Sequence, residues 1–222
     1  MIPEKIGCIF DMDGVLFLSS EIHYQAYCEA LAAEPVEVLD YRELSGMRTD
    51  SAIQKIFNKS GIVLNPEKLQ ELVSRKRGFA SEMLRKQPPV ATDCNKVIAE
   101  FYRRGIPLAL ASSSSSQNVQ LFLESSGTRN FFSVILSGDD VKNAKPDPEI
   151  FRIARTCFGI LPEFCFVIED SESGIRSAQA DGMKVIGVVA QHTQKELKLF
   201  GTVATISRLD ELLKLSLFQS NI

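Results

Sequence analysis

Residues 5–16, Lys5-Ile6-Gly7-Cys8-Ile9-Phe10-Asp11-Met12-Asp13-Gly14-Val15-Leu16, decide the fold of this chain. The first half is short and apolar and stops at a polar cluster, which is typical of a buried β-strand. Two aspartates follow, and Gly14 then supplies a residue that adopts a positive φ without steric cost. The stretch therefore predicts a strand that delivers Asp11 and Asp13 to one end of a sheet.

After Pro89 the chain alternates between strand-like and helix-like segments. Short apolar runs predict strands at 106–111, 133–136, 164–168 and 185–189, and the segments between them predict helices. Strands that are apolar throughout, each followed by a helix, indicate a parallel sheet that is covered on both faces. We therefore predict an α/β fold, which closes with a helix over 209–217.

The segment from residue 19 to about residue 85 reads as helical, with almost no strand-like run. Helices are predicted over 21–33, 49–59 and 65–86, and Gln87-Pro88-Pro89 ends the last of them. The segment leaves the sheet after the first strand and returns before the second. We predict a catalytic core domain of residues 1–16 and 88–222 and an inserted helical cap domain of residues 17–87.

Composition places the chain among globular proteins with a sizeable core, since 45% of its 222 residues are hydrophobic. A formal charge of −3 gives no bulk attraction to nucleic acid or to an anionic membrane. No apolar run approaches the roughly 18 residues that span a bilayer. The five cysteines are scattered, as in a reducing compartment. We expect a cytoplasmic monomer that binds neither nucleic acid nor membrane.

Polar side chains cluster where the predicted strands end, which is where open parallel sheets bind ligands. Three strands deliver four carboxylates and two hydroxyls to this edge: Asp11, Asp13, Ser112, Ser113, Glu169 and Asp170. Crowded carboxylates repel one another, a hard divalent cation relieves that repulsion, and oxygen ligands suit Mg²⁺. Magnesium sites favour phosphate substrates, because the ion neutralises phosphoryl charge. One aspartate can attack the phosphorus as the nucleophile, and a second aspartate can donate a proton to the leaving oxygen. Lys145 would add fixed positive charge.

Four motifs, in order along the chain, resemble those of the haloacid dehalogenase-like superfamily. They are Asp11-x-Asp13-Gly14-Val15-Leu16, the strand-terminal Ser112, Lys145-Pro146-Asp147-Pro148 and Glu169-Asp170-Ser171. The resemblance covers the whole chain and is closest to the β-phosphoglucomutase-like phosphatase branch. It implies a Rossmann-like parallel-sheet core with an inserted α-helical cap domain.

The resemblance also implies a role for each matching position. Asp11 corresponds to the nucleophile and a Mg²⁺ ligand, and Asp13 to the general acid and base whose backbone carbonyl binds the metal. Ser112 corresponds to the hydroxyl that binds the phosphoryl group, and Lys145 to the lysine that stabilises its charge. The acidic pair Glu169 and Asp170 corresponds to metal-site residues, with Asp170 favoured as the direct ligand.

Asp13 favours phosphate esters, because the dehalogenases and phosphonate hydrolases of the superfamily lack an aspartate at this position. The next residues depart from the family pattern. Leu18 replaces the usual aspartate and Ser20 the usual glutamate, whereas His23 keeps its spacing from Asp11. These changes lie at the predicted hinge, so they bear on substrate identity and cap closure more than on the chemical step.

The predicted cap supplies candidate substrate-binding residues. Lys76 lies on the apolar stripe of the third helix, and we favour a cation directed at the substrate over a stem that reaches solvent. For His23 a substrate-facing role is preferred to a structural hydrogen bond. Gly46 and Arg48 either begin a helix or form the substrate-recognition loop of related proteins, in which Arg48 would bind a second anionic group.

Further polar residues fall in loops. Ser113 and Ser114 are candidate substrate contacts within the serine run 112–116, whose later members cap a helix. Asp139 and Asp140 are interpreted as loop residues and not as metal ligands, and His192 is interpreted as a surface residue.

Together these features predict a Mg²⁺-dependent phosphatase that acts on a small phosphorylated metabolite, such as a sugar phosphate, through an aspartyl-phosphate. The alternative is a β-phosphoglucomutase-type sugar-phosphate mutase, in which a second hydroxyl and not water accepts the phosphoryl group. A third hypothesis is a non-catalytic binding protein on the same fold. That hypothesis predicts a broken motif, and all six key residues are present.

Overall fold

The computed structural model describes residues 6–218, so the outer ends of the predicted core domain, residues 1–5 and 219–222, lie outside the described residues. The described strands are β1 Gly7–Phe10, β2 Leu108–Ala111, β3 Val134–Leu136, β4 Cys165–Glu169, β5 Lys184–Val188 and β6 Ala204–Ile206. The described α-helices are α1 Ser20–Leu31, α2 Thr49–Lys59, α3 Pro66–Lys86, α4 Cys94–Arg103, α5 Ser116–Ser126, α6 Glu149–Phe158, α7 Glu172–Ala180 and α8 Gln194–Leu199. Within this described part, no helix is both long and apolar enough to cross a membrane.

The six strands form one sheet in the order β3-β2-β1-β4-β5-β6. Every neighbouring pair in this sheet is parallel. The central strand β1 pairs with β2 on one side and with β4 on the other. Because all strands run the same way, the ends of β1, β2 and β4 meet at one edge, and the predicted parallel α/β sheet is confirmed.

The central strands β1, β2 and β4 are buried on both faces, which explains their unbroken apolar runs. Alternate residues of β1 belong to different hydrophobic clusters: Cys8 and Phe10 pack on one face, and Ile9 packs on the other. The same alternation continues in β2, where Leu108 and Leu110 share the first cluster. Helices cover both faces, as parallel strands require.

Helices α1, α2 and α3 lie between β1 and β2 in the chain and are called here the insert, residues 20–86. They have their own hydrophobic cluster, with Tyr27, Ile53, Phe57 and Leu72 among its buried members. The start of α3 is set by Asn65, whose side chain accepts a hydrogen bond from the Lys68 N–H, and by the proline that follows it.

Several element boundaries differ from those predicted, most of all near the C-terminus. The helix predicted over 209–217 is wrong: the chain forms two short 3₁₀ helices, Leu209–Lys214 and Ser216–Phe218. Helix α8 and strand β6 were not predicted. Helix α8 begins with a capping box, in which Thr193 and Glu196 bond to each other's backbone N–H groups.

Candidate active site

The polar residues predicted at the strand ends meet at the C-terminal edge of the sheet. Asp11 follows β1, and its N–H donates to the Ile168 carbonyl at 3.0 Å. Ser112 follows β2 and is fully buried. Glu169 is the last residue of β4, and Asp170 follows it. Parallel topology therefore gathers residues that are far apart in the sequence.

Three buried carboxylates form a compact cluster at this edge. Asp11, Glu169 and Asp170 each offer one oxygen, and these oxygens lie within 4.8 Å of one another. Burial raises the pKa of Asp170 well above its usual range, and Glu169 and Asp11 raise it further. One Asp170 oxygen, Oδ2, is buried without a hydrogen-bond partner among the described residues. An orphaned oxygen in an all-oxygen acidic cluster fits a hard cation such as Mg²⁺.

Gly14 is required for this arrangement. Its φ is +84°, and a Cβ at this position would overlap the Asp170 carboxylate. The turn after β1 therefore needs glycine both for its backbone conformation and for the close approach of a carboxylate.

Lys145 is buried between two members of the carboxylate cluster. Its Nζ donates to Asp11 Oδ1 at 2.6 Å, to Glu169 Oε1 at 3.0 Å and to the Ala111 carbonyl at 3.2 Å. Burial lowers the pKa of Lys145, but the two carboxylates outweigh burial and hold that pKa above its usual range. The lysine therefore carries a fixed positive charge next to Asp11.

Glu169 has both of its oxygens occupied by protein donors. Oε1 accepts from Lys145, and Oε2 accepts from the Ser171 N–H at 2.8 Å and the Ser171 hydroxyl at 2.9 Å. The side chain therefore orients Lys145 within the cluster, whereas Asp170 keeps an unused oxygen.

Asp13 lies in a different environment, surrounded by hydroxyls and a histidine. It accepts from Ser19 Oγ at 2.5 Å, Ser114 Oγ at 2.7 Å, His23 Nε2 at 3.0 Å and Ser112 Oγ at 3.3 Å. Burial raises the pKa of Asp13, but His23 and the hydroxyls outweigh burial and leave that pKa below its usual range. The two aspartates of the first motif therefore have opposite pKa shifts, since the pKa of Asp11 is raised, chiefly by burial.

Ser19 precedes α1, and its side chain makes no cap hydrogen bond. Its hydroxyl bonds to Asp13 instead. The signal that could have found it is the serine pair six and seven residues after Asp13, at the start of the first helix of the insert.

Lys76 and His23 come from two different helices of the insert and meet at Asp13. Lys76 Nζ lies 2.9 Å from His23 Nδ1 and 4.4 Å from the centre of the Tyr27 ring. Because the ionised Asp13 carboxylate only accepts, His23 Nε2 donates to it, and Nδ1 of the neutral ring accepts from Lys76. Burial lowers the pKa of Lys76 to about 7, although Asp13 opposes that change. Lys76 does not reach bulk solvent, being only 5% exposed.

The pocket above the two aspartates is lined by residues of the insert and of the sheet edge. Its lining residues are Asp11, Asp13, His23, Tyr27, Tyr41, Leu44, Gly46, Met47, Thr49, Lys76, Ser113 and Ser114. Sequence reasoning missed Tyr27, Tyr41 and Thr49. Only Tyr27 left a usable signal, because it follows His23 by four residues on one helix and so shares its face.

Gly46 and Ser113 join the insert to the sheet edge, because the Ser113 hydroxyl donates to the Gly46 carbonyl at 2.7 Å. Gly46 has a φ of +75°, and a Cβ there would overlap the Ser171 side chain. Arg48 is not among the residues that line the pocket. It pairs with Asp50 at 2.8 Å and donates to the carbonyls of Val141 and Lys142.

Two ion pairs also connect the insert to the sheet and its covering helices, which are called here the sheet domain. Arg42 pairs with Glu196 at 2.5 Å, and Arg77 pairs with Asp139 at 3.1 Å. Asp139 also caps α5 by accepting from the Ser116 N–H, so it is a structural loop residue and lies outside the carboxylate cluster. We refer to these two pairs and the Ser113–Gly46 bond as the rim contacts.

The interpretation of His192 as a surface residue is wrong. The side chain is buried, packs edge-on against Phe200 with ring centres 5.2 Å apart, and has no hydrogen-bond partner for either nitrogen among the described residues. Its loop sequence is polar and gave no sign of the packing against Phe200, which follows the unpredicted helix α8.

A buried carboxylate cluster at the C-terminal edge of a parallel sheet is typical of an enzyme active site, and comparison with known proteins specifies the family. The sequence pattern of the haloacid dehalogenase-like hydrolases matches residues 8–188. The chain belongs to that family.

Individual relatives indicate which branch of the family the chain resembles. A phosphorylated carbohydrates phosphatase of Thermotoga maritima is 32% identical over 206 residues, which are 89% of this chain and 92% of the relative. A β-phosphoglucomutase of Bacillus subtilis is 29% identical over 189 residues, 81% of each chain. The crystal structure of a hydrolase from Pseudomonas syringae shares the fold, with a TM-score of 0.87 over 95% of this chain and 97% of that chain at 22% identity. The predicted β-phosphoglucomutase-like phosphatase branch, the Rossmann-like fold and the assignment as an enzyme are confirmed.

Proposed function

We propose that the protein is a Mg²⁺-dependent phosphatase that hydrolyses a small phosphorylated metabolite, such as a sugar phosphate, through an aspartyl-phosphate. The observation that carries this proposal is the pair Asp11 and Asp13, two residues apart at one strand end, in opposite electrostatic environments. Asp11 lies against a buried cation and two acidic residues, and Asp13 lies among hydrogen-bond donors. The Lys145 cation beside Asp11 favours the ionised carboxylate that a nucleophile needs, and the donors around Asp13 fix its orientation for proton transfer.

In the first step a carboxylate oxygen of Asp11 attacks phosphorus, and the bond from phosphorus to the leaving alcohol oxygen breaks. Lys145 and the Ser112 hydroxyl stabilise the phosphoryl oxygens, and Ser112 is available because its bond to Asp13 is long, at 3.3 Å. Asp13 gives its proton to the leaving oxygen. The negative charge of the bound phosphoryl group raises the pKa of Asp13, which favours the protonated form that this step requires.

In the second step water attacks the phosphorus of the aspartyl-phosphate. Asp13 accepts a proton from that water, the bond from phosphorus to Asp11 breaks, and phosphate leaves. Ser19, Ser114 and His23 hold the Asp13 carboxylate at one orientation for both proton transfers. Both partial reactions use the same two side chains, and Asp13 is protonated again at the end of the cycle.

Mg²⁺ would be held by the Asp11 and Asp170 carboxylates and the Asp13 backbone carbonyl, with Glu169 supporting the site through Lys145. When bound, the ion supplies positive charge that neutralises the phosphoryl group and the crowded carboxylates. The unpartnered Asp170 oxygen supports this assignment.

We further propose that residues 17–87 act as a cap over a core domain of residues 1–16 and 88–222, and that the protein is a cytoplasmic monomer. The separate hydrophobic cluster of the insert supports the division into two domains. His23, Gly46 and Lys76 would bind the substrate from the cap, and Ser113 and Ser114 would bind it from the core. Closure of the cap would exclude bulk water and select the substrate.

The second candidate is a β-phosphoglucomutase-type mutase, which the Bacillus subtilis relative favours. A mutase passes through a sugar bisphosphate, so its pocket needs a cation for the second phosphate. Arg48 is the predicted residue for that purpose, but its guanidinium is occupied by Asp50 and two backbone carbonyls. Lys76 is the cation that lines the pocket. Hydrolysis is preferred to isomerisation because the Thermotoga maritima relative, at 32% identity, is a phosphatase.

Phosphate release with Mg²⁺ across a panel of sugar phosphates, beside an assay that interconverts β-glucose 1-phosphate and glucose 6-phosphate, tests the proposal. The Asp11→Asn variant is expected to lose turnover while its thermal melting shows that it remains folded. Near wild-type phosphate release by that variant would exclude Asp11 as the nucleophile. Isomerisation with little free phosphate would establish the mutase.

A further inference from the structure

The segment between β3 and α6, residues 137–148, is called here the lysine loop because it carries Lys145. An arginine of the insert bonds to the backbone of this loop. Nη1 of Arg48 donates to the carbonyl oxygen of Val141 at 3.2 Å and to that of Lys142 at 3.3 Å. The second of these carbonyls lies three residues before Lys145 in the chain. The insert therefore bonds to the segment that carries the active-site cation.

Arg48 is held in place for these carbonyls by a second residue of the insert. Its Nε donates to both Asp50 oxygens, at 2.8 Å and 3.0 Å, and its Nη2 lies 2.8 Å from one of them. The Asp50 carboxylate also accepts from the Ser51 N–H at 2.7 Å. Burial raises the pKa of Asp50, but the bonds from Arg48 and Ser51 outweigh burial and hold that pKa below its usual range. The guanidinium is therefore fixed along one edge by a charged carboxylate, and its Nη1 serves the lysine loop.

The same stretch of backbone is also bound by the sheet domain. The N–H groups of Lys142 and Asn143 donate to the two carboxylate oxygens of Glu149, at 3.1 Å and 2.9 Å, and Glu149 is the first residue of α6. The loop is thus held through its N–H groups by the sheet domain and through its carbonyls by the insert. A movement of the insert breaks the second set of bonds and leaves the first.

Lys145 needs accurate placement because its ammonium group has three partners. Nζ lies 2.6 Å from Asp11, 3.0 Å from Glu169 and 3.2 Å from the Ala111 carbonyl oxygen. A cation stabilises a transferring phosphoryl group only from the productive position, and a misplacement of about 1 Å costs on the order of 100-fold in rate. A contact that restrains the lysine loop can therefore control the chemical step without touching the substrate.

We propose that Arg48 is a positioning residue that couples the seating of the insert over the pocket to the placement of Lys145, through the carbonyls of Val141 and Lys142. The inference rests on the proposed phosphatase function and deepens it by naming how the insert controls the reaction. It requires an arginine, because a planar guanidinium with five donors binds a carboxylate and two carbonyls at once, whereas an ammonium group is a compact point charge.

The experiment measures kcat/KM for phosphate release with Mg²⁺ from p-nitrophenyl phosphate, glucose 6-phosphate and glucose 1,6-bisphosphate. The variants are Arg48→Gln, Arg48→Lys and the control Arg42→Gln, all assayed below their melting temperatures. Arg42 is another arginine that joins the insert to the sheet domain, and among the described residues it bonds to Glu196 and not to the lysine loop. The three esters separate positioning from recognition of a second phosphate, since only the bisphosphate has one.

Both Arg48 variants should lower kcat/KM about 10–100-fold, by the same factor for all three esters. Arg42→Gln should lower it by no more than a few-fold, as expected for one exposed ion pair. A loss confined to the bisphosphate, wild-type rates in Arg48→Lys, or equal losses in Arg48→Gln and Arg42→Gln overturns the inference.

A double-mutant cycle with Lys145 tests the route of the effect. If Arg48 acts through Lys145, the two losses do not add, so Arg48→Gln should cost less than about twofold in a Lys145→Met background. Single turnovers of p-nitrophenyl phosphate with enzyme in excess measure this, and Lys145→Arg replaces Lys145→Met if that variant melts below the assay temperature. The full 10–100-fold (about) loss in the Lys145 variant overturns the inference alone. A wild type that hydrolyses none of the three esters overturns the proposed function, and the inference with it.

Discussion

Replacing Lys145 by methionine tests whether one buried charge holds the carboxylate cluster together. The side chain is 2% exposed and donates to Asp11 and Glu169. Methionine has a similar length but no charge, so the substitution removes the cation with little change in volume. Asp170 lies in the same cluster, so three carboxylates would then share one buried space without a counter-charge.

The expected destabilisation is large. At 2.6 Å and an effective dielectric constant of about 20, the attraction between Lys145 and Asp11 is about 6 kcal/mol. Proton uptake by a carboxyl group limits the loss of stability. The measured destabilisation should therefore be about 3–5 kcal/mol, the cost of removing one partner of a buried ion pair. For a chain of this size that change lowers Tm by roughly 6–20 °C.

The loss of the Lys145 charge also sets the sign of the pH dependence of stability. Without Lys145 the carboxyl groups have folded-state pKa values above their unfolded ones, so the folded state binds more protons and its stability falls as pH rises. The loss of stability relative to wild type should therefore be smaller at pH 5.5 than at pH 7.5. Urea unfolding at both pH values measures it, and added Mg²⁺ should restore part of the stability.

Lys142→Met is the matched control, because Lys142 is an exposed lysine of the same loop. It should leave Tm within a few degrees of wild type, as surface substitutions do. Equal melting temperatures for the two variants, or a Lys145→Met loss that is the same at both pH values, would refute the reasoning.

Two further predictions concern the pocket and the metal. Lys76→Met should be more stable than wild type at pH 7, by on the order of 4 kcal/mol, because burial lowers the pKa of Lys76 to about 7 and the unfolded chain binds the extra proton. In urea unfolding the gain should fall as pH rises and vanish above about pH 11, and a gain that does not change with pH contradicts this. Asp170→Asn should raise the Mg²⁺ concentration for half-maximal phosphate release about 10–100-fold. The control Glu172→Gln, which changes an exposed ion pair with Arg176, should leave that concentration unchanged. EDTA should abolish phosphate release in both variants, and an unchanged Mg²⁺ requirement in Asp170→Asn argues against Asp170 as a ligand.

The parallel sheet and its polar edge could be predicted because each strand is a short apolar run that ends at a polar residue. That pattern is local, and parallel topology then brings Asp11, Ser112 and Glu169 to one edge with no further information. The C-terminal segment could not be assigned in the same way, since the pattern from Leu209 onward suits an α-helix and a 3₁₀ helix alike. In the structure the first of the two 3₁₀ helices, Leu209–Lys214, packs against α4 and β6.

The residues of the insert were harder to predict, because their directions depend on contacts between distant segments. Lys76 was identified from its position on an apolar stripe, a periodic signal. Arg48 has the residue type expected of a phosphate ligand, but a neighbour two positions away and the loop at 141–142 bind it. Tyr41 gave no signal at all, since a tyrosine in a short loop segment has no periodicity to indicate which way it faces.

The rim contacts have a consequence for how a substrate enters. The ion pairs and the hydroxyl bond of the rim can each be exchanged for water, whereas Leu84 of α3 packs in the same hydrophobic cluster as the sheet. Added salt weakens the attraction within Arg42–Glu196 and Arg77–Asp139. We therefore expect the opening of the pocket entrance to respond to the ionic strength of the medium, while the apolar contact at Leu84 does not depend on salt.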